Sequence, residues 1–177
     1  MEKEQLLNEM KQDMLREIQN VVKEIRLDES DEVCYISLLG TDYEPVLGLI
    51  TLGIKSYRDK LIKEEHRQKL WYLWNSGEMP VKYQVGLEKV LPSFQEKQEN
   101  FVELIGDNEW EDSWKACQNV RFEVAYQLNS FDWSKILPIT TDFVLYSDWE
   151  AIDVENGDLE RSIPKEKLII LKEYSLV

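Results

Sequence analysis

Six carboxylates fall within thirteen positions near the end of this chain: Asp148, Glu150, Asp153, Glu155, Asp158 and Glu160. Oxygen density of that kind suits a hard cation such as calcium or magnesium. The spacing does not. If Gly157 took the invariant glycine position of a helix-loop-helix calcium site, Ile152 and Val154 would stand where two liganding carboxylates are required. The passage therefore reads as a solvated acidic loop, and no metal or other cofactor is expected.

Other catalytic chemistries find little support. The single histidine, His66, lies among Lys63, Glu64, Glu65 and Arg67, with no orienting partner in view, so it reads as structural or exposed rather than as a general base. There is no G-x-S-x-G nucleophile motif. The seven glycines are scattered, without a phosphate-binding pattern; Lys55-Ser56 follows Gly53 but lacks the earlier glycine of a phosphate loop. A metal-assisted hydrolase built on the 148–160 carboxylates is the enzymatic alternative, and a structural or oligomeric protein is a third reading.

Six tryptophans could serve as interface anchors. Trp110 and Trp114 lie four apart on a helical stripe and read as packing residues. Trp149 differs, because Asp148 and Glu150 flank it just past a strand. An aromatic anchor in an acidic rim suits a basic protein partner, so Asp148, Trp149, Glu150, Asp153, Glu155, Asp158 and Glu160 are the candidate partner-binding residues.

Composition agrees with a binding role. Across 177 residues there are 35 acidic and 21 basic side chains, a formal net charge of -14. Such a surplus disfavours nucleic acid and anionic membranes, which attract Lys and Arg. The densest basic stretch, Lys55 to Lys69, is interrupted by Asp59, Glu64 and Glu65 and reads as a solvated amphipathic helix. With 43% hydrophobic and 11% aromatic residues, the chain has the composition of a folded protein. Its length suits one domain over 1–177. The N-terminus alternates charge with apolar residues and carries no signal-like run, which predicts a cytosolic location. Cys34 and Cys117 match neither a zinc spacing nor a disulfide framework, and both read as reduced, buried thiols.

Several elements must position these residues. Leu6, Met10, Met14, Ile18, Val21 and Ile25 predict a helix that ends near Arg26. Val33–Leu39 reads as a strand, Gly40 to Pro45 as a loop, and Val46–Leu52 as a second strand, paired as an antiparallel hairpin because the connection is short. Ser56–Leu70 returns to helical periodicity, while the aromatic Leu70–Gly77 segment fits either a short strand or an ordered loop. Helices are predicted over Pro92–Ile105 and from Asn108 to about Leu128. The second carries the stripe Trp110, Trp114, Cys117, Val124, Leu128 and Phe131, interrupted by Arg121. Phe143–Tyr146 is a third strand after the loop Pro138 to Asp142, and Ser162 with Pro164 announces a last helix. Strands separated by unequal helical segments predict an α+β fold, with a small antiparallel sheet of three or more strands packed against amphipathic helices.

The stretch Asp132-Trp133 through Thr140-Thr141-Asp142-Phe143-Val144-Leu145-Tyr146-Ser147-Asp148-Trp149-Glu150, continued by Ser162 to Leu168, resembles the C-terminal half of an uncharacterised bacterial family catalogued as domain of unknown function 4303. Helix 1, the Val33–Leu39 strand, the Gly40-Thr41-Asp42 turn and the Leu70–Trp74 segment are similar to its N-terminal half. The resemblance implies a small intracellular α+β protein without assigned activity. By association with other small acidic families, it also implies an immunity or accessory role in a bacterial toxin system. The expectation is a non-catalytic acidic protein-binding module, an immunity-type inhibitor that meets a basic toxin domain through its acidic face.

Overall fold

In the computed structural model, residues 2–63, 69–106, 108–148, 152, 154 and 157–177 are described. The first helix, α1 (Glu2–Val21), buries Met10, Met14, Ile18 and Val21 on one stripe, as its spacing predicts, and a 3₁₀ turn over Val22–Glu24 ends it. Strand β1 (Val33–Leu39) pairs antiparallel with β2 (Leu49–Ile54), confirming the hairpin. The second strand starts later than the apolar run suggests. At Leu47 the Gln98 side-chain amide takes both backbone groups, accepting from the N–H and donating to the carbonyl at 3.0 Å each, so this residue is held from outside the sheet.

Beyond β2, α2 (Lys55–Lys63) and α3 (Lys69–Trp74) lead to a two-residue strand, β3 (Gln84–Val85). The Leu70–Gly77 segment is thus neither strand nor ordered loop through its first half. It is a helical turn that buries Leu73 and Trp74, with Trp74 Nε1 donating to the Leu176 carbonyl at 2.8 Å. A helix this short is stabilised by packing rather than by its own propensity. Next come α4 (Ser93–Glu103) and α5 (Trp110–Leu128), then β4 (Ile139–Asp148) and α6 (Lys165–Glu173). Strand β4 absorbs most of the segment expected to be a loop before Phe143.

The α+β class holds, but the sheet is mixed rather than antiparallel throughout. Its order is β3-β2-β1-β4, and β4 runs parallel to β1. The intervening helices supply the long connection that a parallel pair requires. Helices cover both faces. On one, α1, α4 and α5 pack with Ile36, Leu38, Phe143 and Leu145. On the other, Cys34, Tyr35, Val144 and Tyr146 meet α3, α6 and Leu176. Two buried faces explain why β1 and the centre of β4 read as nearly continuous apolar runs instead of alternating ones. Among the described residues no helix is long and apolar enough to cross a membrane.

Both thiols are free and buried, as expected. Burial pushes each up to about 12 from an ordinary value of 9.0. An unfolded thiol ionises near 9.0 while the folded one keeps its proton. The folded state is therefore unpenalised below pH 9 and loses stability as pH rises from there towards 12. Iodoacetamide at pH 8 should leave Cys34 and Cys117 of the native chain unmodified and alkylate both in denaturant, as read by intact mass.

Candidate functional site

A cleft of about 850 Å³ opens at the edge of the sheet where the parallel strands β1 and β4 end, at Leu39 and Asp148. Crevices beyond the carboxyl ends of parallel strands are common ligand positions. Three further segments complete its walls: the β1–β2 loop with Gly40, Thr41 and Asp42, the turn Asn75-Ser76-Gly77 after α3, and the N-terminal part of α5 with Trp110, Glu111, Trp114, Lys115 and Gln118.

Each wall has a local cause. Thr41 closes a tight turn, with its backbone N–H donating to the Glu44 carbonyl (3.0 Å) and its Oγ1 accepting from the Glu44 N–H (3.0 Å), which leaves Asp42 exposed at the tip. Behind the loop lies Arg121, fully buried. Its guanidinium donates to the carbonyls of Pro45 and Val46 and to Ser147 Oγ at 3.3 Å, tying α5 to the loop and to β4. The side chain that breaks the apolar pattern of α5 therefore sits in its buried stripe. Burial lowers the Arg121 guanidinium to about 10, opposed by the nearby Cys117 and Asp148. Gly40 passes so close that a Cβ there would strike the Arg121 guanidinium and the Pro45 carbonyl. Gly40→Ala should cost about 1–3 kcal/mol, read as a shifted chemical-denaturation midpoint.

The Asn75-Ser76-Gly77 turn is held from the strand side. The Asp148 carboxylate accepts from the Ser76 N–H at 3.0 Å and from Ser37 Oγ at 3.5 Å, while Asn75 Oδ1 accepts from the Gly77 N–H at 3.1 Å. Ser76 is only 1% exposed, and its own hydroxyl has no hydrogen-bond partner among the described residues. On α5, Trp110 is exposed and Trp114 half-buried, stacked edge to face with ring centroids 6.1 Å apart. They are cleft walls rather than core residues, because the stripe that runs into the core through Cys117, Arg121, Val124 and Leu128 leaves the sheet behind at its N-terminal end. Lys115 pairs with Glu111 at 2.7 Å on the rim.

The sequence-predicted acidic residues divide. Asp148 is buried at the cleft base instead of standing on an exposed rim. Asp158 and Glu160 lie on a 3₁₀ turn (Asp158–Arg161) entered through the left-handed Gly157. Glu160 is exposed, 3.8 Å from Lys172, and Asp158 is half-buried. That turn packs along α5, with Arg161 donating to Asn119 at 2.8 Å and lying over the Phe122 ring, so the cleft and the turn share one helix. Trp149, Glu150, Asp153 and Glu155, like His66, lie outside the described residues. Among the described residues no three His, Cys, Asp or Glu side chains converge as a metal-ligand set. Sequence reading missed Asp42, Ser76, Trp110 and Trp114 as site residues. The one signal present was the charge of Glu111, Asp112 and Lys115 beside the two tryptophans.

No family model, curated protein or solved structure matches the chain.

Proposed function

We propose that this protein is a non-catalytic acidic protein-binding module, an immunity-type inhibitor of a basic bacterial toxin domain, and that the cleft and the acidic turn along α5 form its binding face. The observation that carries the reading is the exposed Trp110 beside the half-buried Trp114 in the cleft wall, with Asp42 and Glu111 also lining the cleft. Large aromatics in a concave site supply anchors whose burial slows dissociation. A carboxylate rim on a strongly acidic chain accelerates encounter with a cationic partner and discriminates against acidic ones.

Affinity capture from the native host, with the chain and with an Asp42→Lys/Glu111→Lys variant as paired baits, tests the proposal. A basic effector held by the first bait, lost from the second and released as salt rises is the expected result. Capture of acidic or housekeeping proteins alone would contradict it.

A further inference from the structure

We propose that the cleft is an arginine receptor: it takes the guanidinium of one arginine side chain from the partner, laid against the Trp110–Trp114 pair and ion-paired at its rim. This deepens the reading of the protein as a binder of basic partners and rests on it.

At the rim two carboxylates, Asp42 and Glu111, stand against one ammonium, Lys115, which is engaged with Glu111, while the third carboxylate of the lining, Asp148, is buried beside the Arg121 guanidinium. An anion would be repelled there. Among the described residues the Asp42 carboxylate makes no ion pair, so it stands ready for an incoming cation. At the base of the cleft the Ser76 side chain is buried and out of reach, so the polar contacts open to a ligand are those of the rim.

The chemistry favours guanidinium over ammonium. A guanidinium is planar and weakly hydrated, so it lies flat on an indole face while its edge still meets carboxylate oxygens. Its five donors leave several for rim carboxylates such as Asp42 while one face rests on an indole. An ammonium keeps its hydration shell and offers no flat face to the indoles. The cleft volume lies in the range of ordinary ligand pockets, large enough for a side chain and part of its backbone.

The experiment uses the full chain with tetra-arginine and tetra-lysine peptides of equal charge, at ionic strength near ~0.15 M, with affinity read by calorimetry and indole fluorescence. Tetra-arginine should bind about tenfold more tightly than tetra-lysine. Trp114→Ala and Asp42→Asn should each weaken tetra-arginine binding about five- to tenfold, and Trp110→Phe, which keeps an aromatic face, by less than about threefold. Glu103→Gln, in the groove between α4 and α1 away from the cleft, removes the same charge and should change affinity by less than about twofold. If Trp114→Ala melts abnormally, Trp110→Ala at the exposed end of α5 replaces it. Equal affinity for the two peptides, or cleft variants no weaker than Glu103→Gln, overturns the arginine receptor and leaves the broader reading intact. Failure of both peptides to bind, together with no basic protein captured from the host, overturns both.

Discussion

Asn129→Ala will cost about 3–5 kcal/mol of folding stability and lower Tm by on the order of 10 °C. Asn129 closes α5 and is 4% exposed. Its amide nitrogen donates to the carbonyls of Ala125 (3.0 Å), Leu145 (2.9 Å) and Ser162 (3.0 Å), and its oxygen accepts from the Leu145 N–H at 2.9 Å. One side chain thus joins a helix end, the free side of β4 and the segment that leads into α6. Removing it strands buried backbone groups that water cannot reach, and each such group costs about 1–3 kcal/mol. The loss is a large share of a typical domain's stability of about 5–15 kcal/mol. Urea denaturation of Asn129→Ala beside Ser134→Ala, an exposed position on the next turn, checks the size. A difference under about 1 kcal/mol would mean that the three elements are held by apolar packing alone.

The second large effect is expected at the opposite end of β4. Arg58 of α2 reaches Asp142 at 2.5 Å, and both side chains are almost fully buried, 9% and 4% exposed. Asp142→Asn keeps the shape and removes the charge, leaving a guanidinium uncompensated in a poorly solvated site. That should cost about 3–5 kcal/mol. A double variant, Arg58→Met/Asp142→Leu, removes both charges and should recover most of the loss, because the pair's attraction largely offsets its desolvation. A thermodynamic cycle over the two single variants and the double separates these contributions. Single and double variants equally destabilised would show that the pair acts through packing rather than through charge.

What the sequence made legible follows from locality. The β1 boundaries, the apolar stripe of α1, the hairpin and the presence of α5 all come from periodicity and turn residues within a window of about twenty positions. The parallel pairing of β4 with β1 does not, because it depends on where the chain returns after the long stretch that carries α2 to α5. Arg121 misleads for a related reason. A charged residue in an apolar stripe reads as an interruption, yet two carbonyls and a serine hydroxyl accept from its Nε and Nη1 in the interior, and that arrangement is visible only once β1, β4 and the loop are assembled. Trp110 and Trp114 mislead in the opposite direction, since helical spacing says which residues share a face and not where the sheet beneath that face stops.

The cleft itself was hidden by its composition. Gly40-Thr41-Asp42 and Asn75-Ser76-Gly77 are ordinary turn sequences, and Asp148 belonged to a conspicuous acidic run. They meet only because parallel strands end side by side and α5 overhangs them. Acidity had pointed to the 148–160 passage as the binding face. The described geometry adds an aromatic, carboxylate-rimmed cleft at the start of that passage and brings the Asp158–Arg161 turn onto the same helix.

The most direct test of a binding face at this cleft is a two-dimensional nitrogen–proton spectrum of the labelled chain, titrated with the basic protein captured from the host. The largest changes should fall on the Trp110 and Trp114 indole N–H groups and on the amides of Gly40, Thr41, Ser76 and Gly77. Changes confined to the α1–α4 side of the molecule, with the two indoles unmoved, would contradict it.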